Sequence, residues 1–231
     1  DIELEDSTLA GALNVTADAI DITGSVTAAS LTLDASTGAG DVTDSGAGDL
    51  AVTGTTTITV LAGDDVVLDA AGNDFNAIGI TGADNATIVD ANNVVLNASA
   101  ITTNLHVTAH GSISSTPTLT PGATTTLNAT GRVVGTHDIA LTDPANDFAT
   151  LGITNGGDVT VEDTNSINLG TAGVGGLFDV TVDNGIDVTG AIDAGSIDFD
   201  ATTGVGDIVD STGDLTVSGT ATLAAQTTDN V

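Results

Sequence analysis

The chain has 231 residues, with 32 Asp+Glu against one Lys+Arg, a formal net charge of -31. One Arg cannot neutralise a phosphate backbone, so nucleic-acid binding is excluded, and the same charge disfavours an anionic membrane surface. With no Cys, neither disulfides nor thiolate metal sites are possible, and Asp or Asn interrupts every apolar stretch before it reaches a membrane span. Hydrophobic residues make up 40%, mostly Val, Ile, Leu and Ala, which favours order over a charged disordered tail. Val, Ile and Thr suit strands, and 29 Gly with abundant Asn and Asp suit turns, so the chain reads as all-β.

The predicted elements are short and alternate in chain order. Ile2-Glu3-Leu4 opens with strand alternation directly at residue 1, as expected of a window on a longer chain. Leu31-Thr32-Leu33, Leu50-Ala51-Val52 and Ile58-Thr59-Val60 follow. Then come Val94-Val95-Leu96, Leu105-His106-Val107, Val159-Thr160-Val161, Ile167-Asn168-Leu169, Phe178-Asp179-Val180 and Leu215-Thr216-Val217. Each places apolar residues inward on either side of one outward residue, and Gly, Asn or Asp follows most of them within a few positions.

The chain repeats itself. SLTLDASTGAGDV from Ser30 to Val42 returns as SIDFDATTGVGDI from Ser196 to Ile208, so residues 1–66 recur as 166–231. A shorter repeat lies inside. Asn73-Asp74-Phe75 returns as Asn146-Asp147-Phe148, and Gly79-Ile80-Thr81 returns at the same offset as Gly152-Ile153-Thr154. Thr55-Thr56-Thr57-Ile58 returns as Thr124-Thr125-Thr126-Leu127, at an offset four positions shorter. That difference points to a loop insertion at Arg132, Val133, Val134 and Gly135. Units 54–122 and 123–218 are related, and are expected to hold three and four rungs. Short strands repeated at this spacing predict one continuous β-solenoid of parallel ladders over residues 1–231, with rungs of about 20–24 residues. A β-sandwich would need hairpins and no long-range identity. Phe75 and Phe148 are expected to fill equivalent wide layers of the lumen.

The stretch NDFxxxGITxxxxxTIVDxNNVVL, from Asn73 to Leu96, resembles the repeats of large bacterial surface proteins of the filamentous haemagglutinin type. Similar β-strand repeats occur in giant secreted adhesins. The resemblance implies a right-handed parallel β-helix in a secreted segment at the bacterial cell surface, with adhesive, biofilm or surface-layer roles. The expected partners are further copies of the same repeat, stacked end to end or side by side, and cell-surface glycans.

The acid excess poses the main chemical question. Asp stacked on rungs about 4.8 Å apart repel by roughly 1 kcal/mol per pair even in water, which favours a cation. Ca2+ suits carboxylates and turn carbonyls. The best candidate ligands are Asp41, Asp44 and Asp49 with their copies Asp207, Asp210 and Asp214, although the nine-residue period of calcium-binding β-rolls is absent. The plain alternative is that Asp caps turns and solubilises the surface.

His106, His110 and His137 lack metal-ligand spacing. Catalysis is not expected: a pectin-lyase-like site would want a basic residue in its cleft, and Arg132 is the sole candidate. A hydrolase would need one carboxylate pair with separated roles, whereas these carboxylates recur with the repeat. Ice binding would need Thr rows on consecutive rungs, and the Thr cluster after Thr55–Thr57 is Thr124–Thr126, about three rungs on. The expected role is a stiff stalk, filament or surface-layer element. The alternative is a ligand-binding adhesin module, with Arg132–Gly135 or the Ser115–Pro121 stretch, which holds Pro117 and Pro121, as its irregular feature.

Overall fold

A computed structural model describes residues 1–45, 48–115, 117–131, 137–202, 204 and 206–226. Among them lie 26 β-strands and no helix, and every strand pairing is parallel. The fold is the expected β-solenoid. One register column shows the winding. It runs Ile2, Ile20, Val42, Val66, Ala86, Leu105, Thr125, Leu151, Leu169, Val188 and Asp210. At one strand spacing per step, the ten steps span about 48 Å.

Ten steps carry Ile2 to Asp210. That is a mean of about 21 residues per rung, inside the expected range and typical of solenoid repeats. Single rungs vary more. The step from Ile2 to Ile20 is among the shortest, and the step from Thr125 to Leu151 is the longest and contains the expected insertion. Arg132, Val133, Val134 and Gly135 themselves lie outside the described residues. The long repeat is close to eight turns, since eight steps carry Ile2 to Leu169. The short repeat is not a whole number of turns. Thr56 sits in the column Leu31–Thr56–Ile78–Leu96–Ser115, whereas Thr125 sits between Leu105 and Leu151 in another. The expected seven rungs therefore undercount by one, because that division assumed a rung longer than the observed mean.

Alternation produces the core. Ser30–Ala35, Asn85–Asp90 and Val159–Asp163 each bury every second residue. The inward Val, Ile and Leu form one continuous dry column. All four Phe are fully buried there, Phe75 and Phe148 among them as expected, and Phe178 meets Phe199 of the next turn edge-on at 5.5 Å.

Glycine does less to end strands than its composition suggests. Leu50–Val60, Ile167–Val182 and Ala191–Ala201 run unbroken through corners that contain glycine. At Gly195 a Cβ would stand 2.7 Å from the carbonyl oxygens of Gly175 and Gly176, so the corner admits no side chain. Gly82 ends its strand in the left-handed region, at φ +95°, where a Cβ would strike the Val60 carbonyl.

Candidate functional site

The most elaborate polar structure is the buried Asn-Asp-Phe device, present twice. Asn73 and Asn146 are both fully buried. Asn73 Oδ1 accepts Leu50 N–H at 2.8 Å from an earlier rung, and Asn146 Oδ1 accepts Leu119 N–H at 2.8 Å. Each side-chain amide thus stands in for a backbone carbonyl that the strand ladder lacks at a corner. Asn73 Nδ2 donates to Asp44 Oδ2 at 2.6 Å, while Asn146 Nδ2 reaches the carbonyls of Leu141 and Glu162 at 3.4 and 3.3 Å. The Phe N–H that follows is capped from a later strand end, that of Asn85–Asp90 for Phe75 and that of Val159–Asp163 for Phe148. Phe75 N–H donates to Asp90 Oδ2 and Phe148 N–H to Asp163 Oδ2, each at 2.6 Å. The second oxygens accept Asn92 N–H at 2.8 Å and Asn165 N–H at 2.9 Å. Asn92 and Asn165 then return an Nδ2 bond of 2.9 Å to Asp74 and Asp147.

Burial is the main cause that pushes the Asp90 and Asp163 carboxyls above the usual range, and their N–H bonds only partly offset it. Asp163 is raised to about 6, with the like charges of Asp147 and Asp183 adding to burial. For Asp90, Asp74 adds and His110 opposes. Sequence reading missed Asp90 and Asp163. Their signal is the recurrence of Asp90-x-Asn92 as Asp163-x-Asn165, at the same offset as the NDF pair.

A second polar system lines the corners. Asn93 Oδ1 accepts Ser112 N–H, Ser112 Oγ accepts Asp138 N–H, Asp138 Oδ1 accepts Asp158 N–H, and Asp158 Oδ1 accepts Leu177 N–H. These bonds run from 2.7 to 3.1 Å, and each joins one rung to the next. Asp41, Asp65 and Asn85 form a similar run. Asp21 accepts from Ser45, and its copy in the long repeat, Asp187, accepts from Ser211. In each case the acceptor lies on one rung and the donor on the following one. The carboxylates thus extend the backbone ladder where the chain turns.

The expected calcium ligands are placed as follows. Asp44 is nearly buried and already accepts Asp69 N–H, Ala70 N–H and Asn73 Nδ2–H. Burial raises its pKa despite those bonds. Asp41 caps Asp65, Asp210 caps Gly213, and the Asp49 carboxylate lies against Gly72. Asp207 accepts Ile186 N–H through its backbone oxygen, and Asp214 pairs in register with Ala191. Among the described residues, no three His, Asp or Glu groups converge as a metal site.

The expected charge stacking occurs at Asp179, in register with Asp198. Burial, then Asp198 and Asp200, raise the Asp179 pKa. His106 stands on the outer surface between Thr87 and Thr126. His137 helps line a groove of about 470 Å³ along a corner, with Asn155, Gly157, Gly175, Asp193 and Ser218. Two of its lining residues, Gly131 and His137, bracket the expected Arg132–Gly135 loop in sequence, whereas the glycines of its other walls read only as turns.

A family model described as repeats of unknown function (DUF5649) matches residues 23–81, 83–155 and 156–205. The middle match is as long as the spacing between the two NDF devices. None of the curated proteins and none of the solved structures compared matches.

Proposed function

Since the chain belongs to this family of repeats of unknown function, we propose that it works mechanically, as a stiff segment of a bacterial surface protein. The observation that carries this reading is the parallel ladder continuous over ten register steps, reinforced at its corners by Asx and Ser side chains. Such a rod holds whatever lies beyond it at a fixed distance, and each rung contacts only its neighbours, so further copies of the repeat would lengthen it without redesign. Secretion to the cell surface fits a chain with a single site for trypsin-like proteases, Arg132, and a dense coat of carboxylates. No helix of the described residues is long and apolar enough to cross a membrane. The likeness to haemagglutinin-type repeats rests on sequence pattern, since the comparisons reach the repeat family and go no further.

Pulling single molecules between the chain ends tests the rod. Each rung should release about 20 residues, roughly 65 Å of new contour at about 3.3–3.6 Å per residue. A single soft extension without such steps would refute a mechanical role. A second reading, a glycan-binding adhesin module, is favoured by the corner groove. Glycan retention by the intact chain that disappears in an Asp193→Ala, His137→Ala double variant would support it. Absence of retention on a broad glycan panel would remove it.

A further inference from the structure

The two NDF devices share a plan and differ in what faces the buried acid. Asp90 is 0% exposed and Asp163 3% exposed, and both spend two oxygens on two backbone N–H groups. Asp74 faces Asp90 from its own rung. From the following rung comes His110, whose N–H donates to the Asp90 carbonyl at 3.0 Å and whose Nδ1 lies 3.2 Å from the same oxygen. In the second copy, Asp147 takes the place of Asp74 and Asp183 takes the place of His110. Asp183 N–H donates to the Asp163 carbonyl at 3.3 Å, so the exchange preserves the backbone contact and reverses the side chain's charge character. On the preceding rung, two positions past the Leu141–Val161 pair, stands Asp143. Its carboxylate accepts Ala145 N–H and Thr118 Oγ1–H. The position that matches it in the first device is Ala70, two positions past the Leu68–Ile88 pair.

We propose that the Asn146–Asp163 rung is a proton-operated clamp, taking one proton onto the Asp163 carboxyl in mildly acidic surroundings and tightening, while the Asn73–Asp90 rung, faced by His110 in place of Asp183, responds less. The proton comes from solvent and returns to it on neutralisation. Removing one charge from a buried carboxyl relieves its desolvation and its repulsion by Asp147 and Asp183. Its oxygens retain lone pairs for Phe148 N–H and Asn165 N–H. In the first device the His110 imidazole opposes the same uptake. A rod built this way stiffens locally at one rung as its medium acidifies.

Two measurements on the full chain test the clamp. In a carboxyl-13C aspartate NMR titration, the resonance lost in Asp163→Asn should titrate near pH 6 in the parent. Its midpoint should fall in Asp183→His, and that of Asp90 should rise in His110→Asp. Amide exchange, corrected for intrinsic rates, should protect Phe148 N–H about tenfold more at pH 5 than at pH 7, with a smaller change at Phe75 N–H. Should Asp183→His not fold, Asp147→Asn carries the same expectation, because it keeps the Oδ1 that Asn165 uses. An Asp163 midpoint in the ordinary carboxylate range would overturn the proposal. So would a midpoint indifferent to these substitutions, or equal pH response at Phe148 and Phe75.

Discussion

Two threonines sit where the lumen offers them nothing. Thr56 is 0% and Thr125 1% exposed, and neither hydroxyl has a hydrogen-bond partner. Thr56 stacks between Leu31 and Ile78, and Thr125 between Leu105 and Leu151. Each is the second Thr of the repeated Thr-Thr-Thr marker. Burying a hydroxyl without a partner costs about 1–3 kcal/mol, and valine keeps the branched shape without that cost. Thr56→Val and Thr125→Val should each stabilise the chain by about 1–2 kcal/mol. At about 2–4 °C per kcal/mol for a chain of this size, that raises Tm by roughly 2–8 °C per substitution. The two sites are more than three rungs apart, about 15 Å along the axis, so their effects should add. Urea and thermal unfolding followed by circular dichroism would measure this, with the exposed neighbour Thr57→Val as control, expected within about 0.5 kcal/mol of the parent. Loss of stability at Thr56 or Thr125 would refute the reasoning, because it would mean the hydroxyls are bonded.

Acid should strengthen this protein. Asp163 is raised to about 6 when folded, so the folded chain binds more protons than the unfolded one between about pH 4 and 6. Stability therefore falls as pH rises through that window, by at most roughly 3 kcal/mol from Asp163, and melting at pH 5 should exceed melting at pH 7 at equal ionic strength. Asp44, Asp90 and Asp179 act in the same direction, while Asp21 and Asp34, held low by hydrogen bonds, lose their contribution only in stronger acid. Asn73→Leu should cost about 3–5 kcal/mol in unfolding experiments, since it strands Leu50 N–H and removes a donor from Asp44. Gly82→Ala should destabilise by about 2–4 kcal/mol through its positive φ and the Val60 carbonyl, whereas Gly11→Ala, with open space around it, should be tolerated. Chelator at fixed ionic strength should leave Tm unmoved, because Asp41, Asp44 and Asp210 each already accept a backbone N–H. A fall of several degrees would support the calcium reading.

The architecture was legible because two signals agree. Alternation in stretches such as Leu31-Thr32-Leu33 gives strands, and the recurrence of residues 30–42 at 196–208 gives stacking. Rung count was less legible, since corner insertions vary from turn to turn and the shorter repeat closes on no whole number of turns. Strand continuity through Gly195 and Gly54 was hidden because glycine marks a corner as readily as a break. The buried devices were hidden by chemistry. Asn and Asp read as turn formers, and only the three-dimensional register reveals that Asn73 replaces a missing carbonyl for Leu50. The Asp excess suggested a cation, and only the register shows that corner carboxylates also meet backbone N–H groups of the next rung in one-sided ladders.

The central claim is in-register parallel stacking of successive turns, and the absence of native Cys allows a direct chemical test. Thr32 and Thr57 are register partners on adjacent rungs, as are His106 and Thr126. Neighbouring parallel strands lie about 4.8 Å apart, within disulfide reach. Cysteine pairs at Thr32/Thr57 and at His106/Thr126 should each oxidise to an intramolecular disulfide in the folded chain, while Thr32/Thr126 should not. Failure of both register pairs in folded protein, or efficient closure of the distant pair, would contradict the solenoid.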